Sequence, residues 1–185
     1  MKIAVLISGR GSNLQALIDA QKEAGWPAEI VLVISNVAGA KGLERAEKAG
    51  IPTAVINHKD FEDRATFDAA MTEAIEAVSD GNGDGEEVGL VCLAGFMRIL
   101  STPFIDRWRN RLVNIHPSLL PAYKGLDVHQ RVIDAGEDFS GCTVHFVRPE
   151  MDTGPIILQA KVPVLADDDA DTLAARVLEQ EHLIY

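Results

Sequence analysis

Lys2-Ile3-Ala4-Val5-Leu6-Ile7-Ser8-Gly9-Arg10-Gly11-Ser12-Asn13-Leu14-Gln15-Ala16-Leu17-Ile18 carries an apolar run of strand length through a glycine turn into a helical pattern. The run has almost no polar residue, as expected of a strand buried on both faces of a parallel sheet. It is too short for a signal h-region or a membrane span, so a cytoplasmic protein is expected. The glycines let the backbone turn sharply and let an anion approach the N–H groups of the helix start, with Ser12 a candidate N-cap. The same stretch also reads as a capped strand-to-helix turn that holds no ligand. A dinucleotide fits it less well than one phosphate does. Leu14 stands where the third glycine of the fingerprint would fall, and the second strand ends at Ser35-Asn36 without an acid for a ribose diol.

Outward from this unit, strand patterns recur at Ile30–Ser35, Thr53–Ile56, Gly89–Leu93, Leu112–Ile115, Thr143–Val147 and Ile156–Val162. Helical patterns fall between them at Asn13–Ala24, Gly42–Ala49, Asp63–Val78, Thr102–Trp108, Val128–Ala135 and Ala170–Ile184. The alternation predicts an α/β fold, a mainly parallel twisted sheet with helices on both faces, Rossmann-like in its N-terminal half. The Gly-rich, acidic stretch Ser79–Glu87 reads as a solvated loop rather than a linker, and 185 residues suit one domain. A net charge of -11 disfavours a protein that grips a nucleic-acid backbone, but does not exclude a small anionic substrate in a local pocket. Cys92 and Cys142 lie far apart in apolar runs and read as packed, inert thiols.

The stretch richest in chemistry is Asn114-Ile115-His116-Pro117-Ser118-Leu119-Leu120-Pro121. Asn114 and His116 are two apart at a strand end, so their side chains share a face, where open α/β sheets place ligands. Pro117 and Pro121 force the chain beyond His116 into a rigid loop. An amide and an imidazole there suit acyl transfer, Asn114 donating to a developing oxyanion and His116 donating or relaying a proton. An Asn and a His at a strand end are also often structural. Asp152, in the turn Met151-Asp152-Thr153-Gly154-Pro155, is a candidate partner that would favour the imidazolium of His116; it reads equally as a turn cap. His145 alternates with apolar residues and either lines the same cleft or pairs with backbone. His58, His129 and His182 read as exposed or structural, and no cluster has metal-ligand spacing.

Gly11-Ser12-Asn13, Leu93-Ala94-Gly95-Phe96-Met97-Arg98-Ile99-Leu100, Asn114 through Pro121 and Asp152-x-Gly-Pro, in this order, closely resemble the phosphoribosylglycinamide formyltransferases. The resemblance runs nearly the whole chain. Its Asn-x-His-Pro-Ser-Leu-Leu-Pro element with a later Asp is shared by folate-dependent formyl transfer and hydrolysis as a superfamily, and the Gly-Ser-Asn loop narrows it to the purine enzymes. It implies that N10-formyltetrahydrofolate, as co-substrate without a metal, donates its formyl group to the glycinamide amine by direct attack through a tetrahedral intermediate. It also implies Asn114, His116 and Asp152 as the catalytic trio. Gly11, Ser12, Asn13 and Glu181 would hold phosphoribosylglycinamide. Arg64, Met97, Arg98, Ile99, Leu100 and Asn114 would hold the formyl-folate, with backbone at Arg98 and Leu100 reading the pterin edge.

Two features depart from the family pattern. Leu178 stands where some relatives carry a polar residue near the phosphoribosyl group. Tyr185 ends the chain inside what would be the last helix, so the single domain over 1–185 reads as truncated relative to the family. Small molecules are the implied partners, with neither nucleic acid nor membrane, and a homodimer is the assembly to test. The rival readings are a formyltetrahydrofolate hydrolase, expected to carry an N-terminal regulatory domain, and a related folate-dependent formyltransferase such as the methionyl-tRNA enzyme. The latter is expected to need a further nucleic-acid-binding domain. A sensor that binds nucleotide or phosphate without turnover is the reading from another class.

Overall fold

Short apolar runs and amphipathic runs become an alternation of strands and helices in the computed structural model, which describes residues 1–81 and 86–185. The strands are β1 (Lys2–Ile7), β2 (Glu29–Ser35), β3 (Thr53–Val55), β4 (Val88–Leu93), β5 (Leu112–His116), β6 (Phe139–Phe146) and β7 (Ile156–Pro163). The helices are α1 (Ser12–Ala20), α2 (Lys41–Lys48), α3 (Arg64–Gly81), α4 (Thr102–Arg107), α5 (Val128–Asp134) and α6 (Ala170–Ile184). A short 3-10 turn at His58–Asp60 adds to these. Strand order in the mixed, mostly parallel sheet is β3-β2-β1-β4-β5-β6-β7. β1 pairs parallel with β2 and β4, β2 parallel with β3, and β6 antiparallel with β7. Among the described residues no helix is long and apolar enough to cross a membrane.

The chain divides into two compact units, Met1–Val113 and Asn114–Tyr185. In the first, β1 is flanked on both sides and every one of its residues is buried, which is why its sequence has no polar alternation. Gly11 has φ +68° and caps α1; a Cβ there would lie 2.6 Å from Gly42 Cα at the start of α2. Gly42 N–H donates to the Gly9 carbonyl at 3.0 Å, and Arg45 Nε donates to the Arg10 carbonyl at 2.9 Å. The glycine turn is therefore clamped by α2, with two glycines set where the backbones meet.

In the second unit Ile115, Val128, Val132, Cys142, Val144, Val162, Leu173 and Val177 form one buried cluster. α6 begins with a reciprocal cap between Asp169 and Thr172. Asp168 pairs with Arg176, whose hydrogen bonds hold the Asp168 carboxyl well below the usual range.

Some boundaries differ from the sequence reading. Ser12 is not the cap of α1: Gly11 takes that place in the left-handed conformation, its carbonyl accepting from Gln15 N–H at 2.9 Å. α1 stops at Ala20, short of the expected Ala24, and the chain turns toward Gly25 at φ +90°. β6 starts at Phe139, four residues before Thr143, because Gly141 packs where a Cβ would strike the Ala160 carbonyl. The loop expected from Ser79 begins later, since α3 runs to Gly81; residues 82–85 of that stretch lie outside the described ones.

Candidate active site

β5 sets Asn114 and His116 on one face, and the second unit gathers partners around both. His116 is 6% exposed. Its Nε2 lies 3.0 Å from the Tyr123 carbonyl, to which it donates, and its Nδ1 lies 3.5 Å from Asp152 Oδ2. Asn114 Nδ2 lies 3.3 Å from His145 Nε2. His145 Nδ1 is 3.1 Å from the Phe146 carbonyl, an acceptor only, so Nδ1 carries the hydrogen and Nε2 receives the Asn114 amide. Burial pushes His145 below the ordinary imidazole range, with the Asp152 charge acting in the opposite sense. Its neutral ring is thus a fixed acceptor that commits one Asn114 amide hydrogen and orients the other.

Asp152 has φ +52°, an unfavourable region for a residue with a Cβ. Its Oδ2 accepts from Gly125 N–H at 2.9 Å, and its Oδ1 stands 3.8 Å from His145 Nε2. Gly154 follows it because a Cβ there would fall on the Phe146 carbonyl. Tyr123 and Asp127 also have positive φ, at 53° and 54°. Such conformations persist where surrounding bonds over-determine them, and they gather at functional sites.

The loop after His116 is braced from below. Thr143 Oγ1 donates to the Ser118 carbonyl at 2.6 Å and accepts from Leu120 N–H at 3.1 Å and Gln159 Nε2 at 2.9 Å. The hydroxyl's one donor and two acceptor positions are all used. Gln159 Nε2 also reaches the Leu120 carbonyl at 3.0 Å, and Ser118 Oγ donates to the Ala122 carbonyl at 2.6 Å. Arg131 Nη1 donates to the Lys124 and Leu126 carbonyls at 2.7 and 3.1 Å. These bonds place the Tyr123 carbonyl that holds His116.

The structure brings together Asn114, His116 and Asp152, with His145 as the fourth member. Glu181 is buried on α6, where its charge adds to burial in pushing the Cys142 thiol up to about 12. The other expected binding residues belong to the first unit. Gly11 and Asn13 are buried at the start of α1, Arg64 is exposed at the start of α3, and Met97, Arg98 and Ile99 are exposed between β4 and α4 with Leu100 buried. Sequence reasoning missed Tyr123, Gly125, Thr143 and Gln159; the first two act through backbone atoms, which leave no residue-type signal. Among the described residues no group of three or more His, Cys, Asp and Glu is arranged to hold a metal ion.

With this geometry, the sequence matches the formyl transferase family over residues 1–185. The chain belongs to the formyl transferase family. It is 48% identical over 185 residues to phosphoribosylglycinamide formyltransferase of Escherichia coli (strain K12), covering 100% of this chain and 84% of that protein. It is 56% identical over 183 residues to the trifunctional purine biosynthetic protein adenosine-3 of Drosophila melanogaster, covering 98% of this chain but 13% of that protein. The chain thus spans a small part of the length of its trifunctional relatives. The crystal structure of glycinamide ribonucleotide transformylase 1 from Symbiobacterium toebii superposes with a TM-score of 0.93 at 45% identity, covering 100% of this chain and 84% of that one. Formyltransferase relatives thus share both the fold and nearly half of the sequence.

Proposed function

We propose that the protein transfers the formyl group of N10-formyltetrahydrofolate to the amine of 5'-phosphoribosylglycinamide, a step of purine biosynthesis. The observation that carries this reading is a partly buried amide and a buried imidazole on one strand end, each beside a second side chain, in a chain of this family. The amine nitrogen bonds to the formyl carbon and the formyl oxygen takes up negative charge. The second Asn114 amide hydrogen is a donor for that charge, and a His116 N–H would join it by giving up its bond to the Tyr123 carbonyl. Collapse breaks the bond to N10, and the proton lost by the amine replaces the formyl group there. Asp152, beside Nδ1, keeps the His116 ring in place.

Gly11, Ser12 and Asn13 would hold the phosphate through the first N–H groups of α1, which have no partner within the helix. Glu181 would contact the glycinamide end of the same substrate. Arg64 and the Met97–Leu100 segment would hold the folate. The test is absorbance of deformylated folate with and without phosphoribosylglycinamide. Release that needs the amine is the expected result. Release at equal rate without it would indicate a hydrolase, and no release with both ligands would overturn the reading.

A further inference from the structure

In the first unit the Met97–Leu100 segment is tied down at both ends. Met97 N–H donates to Ser8 Oγ at 2.7 Å. Ser101 N–H, directly after Leu100, donates to Asp68 Oδ2 at 2.5 Å. Neither anchor is isolated. The Ser8 hydroxyl donates in turn to Asn36 Oδ1 at 2.6 Å, and Asn36 Nδ2 lies 3.2 Å from His58 Nδ1. His58 follows β3, Asn36 follows β2 and Ser8 follows β1, so the side-chain relay follows the sheet order β3-β2-β1-β4 to reach the loop after β4.

Asn36 is 3% exposed and Asp68 1%, whereas Met97 between the anchors is 73% exposed and Ile99 56%. Two buried polar groups thus fix the ends of an exposed stretch that has no helix or strand of its own. A backbone that must present its N–H and C=O groups to a ligand needs such fixing, because ordering it on binding would weaken affinity. Arg64 and Arg98 are the cations whose charges act on the Asp68 carboxyl, so the same anchor lies among expected folate-binding side chains.

We propose that Ser8, backed by Asn36, and Asp68 are positioning residues that set the Met97–Leu100 backbone for folate, acting through the segment and not by touching the ligand. This rests on the reading given under Proposed function. Ser8→Ala removes one anchor and Asp68→Ala the other, while Asp68→Asn keeps an oxygen for Ser101 N–H. Calorimetric titration of each purified variant with 5,8-dideazafolate is expected to show affinity weakened about five- to tenfold for the two alanine variants. Asp68→Asn is expected to bind within about twofold of wild type, as one net hydrogen bond is kept. The KM for phosphoribosylglycinamide and kcat should change little.

Amide exchange in the ligand-free variants supplies a readout independent of activity. Met97 and Ser101 N–H should exchange faster than in wild type in Ser8→Ala and Asp68→Ala respectively, while β1 amides stay protected. Wild-type protein that fails to bind the dideazafolate would sink the folate reading and the positioning role with it, even with both amides protected. Wild type that binds, with alanine variants binding equally well, would overturn the positioning role alone. A loss of protection spread over β1 would also overturn it, by showing a general folding defect.

Discussion

The second unit holds the groups proposed for chemistry as buried or partly buried side chains braced against one another, while the first presents those proposed for binding folate largely as exposed ones. His116 and His145 are 6% and 2% exposed and Asp152 contacts both; Met97 and Ile99 are 73% and 56% exposed. The difference reflects the task of each. A group that meets charge appearing only during reaction gains from a low-dielectric site and from being fixed beforehand. A group that receives a ligand from water must stay open to it, so its order comes from anchors set behind it. Polar groups buried around His116 need partners, which is why Tyr123, Gly125 and Thr143 are drawn in.

The largest effect that can break this contrast is expected from Asn114→Ala. It removes the donor proposed to meet developing charge, so kcat should fall by roughly a hundredfold or more, about 3 kcal/mol, with both KM values nearly kept. A variant within a few-fold of wild type would assign Asn114 to structure. Next comes Thr143→Val, which strips a fully used buried hydroxyl from under the His116 loop. Loss of about 1–3 kcal/mol in urea unfolding is expected, with a drop in kcat from the loosened loop. Unchanged stability and rate would show that Gln159 and Ser118 hold the loop without it.

On the first unit's side, Gly11→Ala forces a side chain to φ +68° and toward Gly42, whereas a Cβ at Gly9 meets nothing within 4 Å. Gly11→Ala should cost about 1–2 kcal/mol and raise the KM for phosphoribosylglycinamide, with Gly9→Ala nearly as stable as wild type. Equal stability of the two would remove the argument for the clamp. The smallest effect concerns pH. Burial lowers the folded-state values of His145 and His129, so the unfolded chain binds more protons than the folded one as pH falls through about 6.5. Stability should therefore be highest above that pH and decline below it, a slope that His145→Gln should flatten in thermal unfolding. A slope unaffected by that change would place its origin elsewhere.

The fold was legible because buried parallel strands leave unbroken apolar runs, and β1, β2 and β4 lie close to where those runs fall. β6 was read as starting at Thr143, whereas the strand begins at Phe139 and includes Gly141, which is there for its close approach to Ala160. At the site, the two-residue period sufficed to place Asn114 and His116 on one face. That Asp152 stands beside His116 depends on the β6–β7 hairpin and on Gly125 N–H, neither of which has a spacing in sequence. His145 was read as lining the cleft or pairing with backbone; it meets the Phe146 carbonyl and, beyond backbone, the Asn114 amide. The Ser8–Asn36 relay was invisible for a further reason: its members belong to separate strand ends and meet only when the strands lie in order.

The most direct test of the braced cluster proposed for catalysis is the single-turnover rate of formyl transfer by Asp152→Asn with both substrates saturating. The substitution keeps the shape that meets Gly125 N–H and removes the charge beside His116 and His145. The rate should fall by about a hundredfold or more while both ligands still bind. A rate within a few-fold of wild type would contradict the cluster's role and leave Asp152 as the cap of its turn.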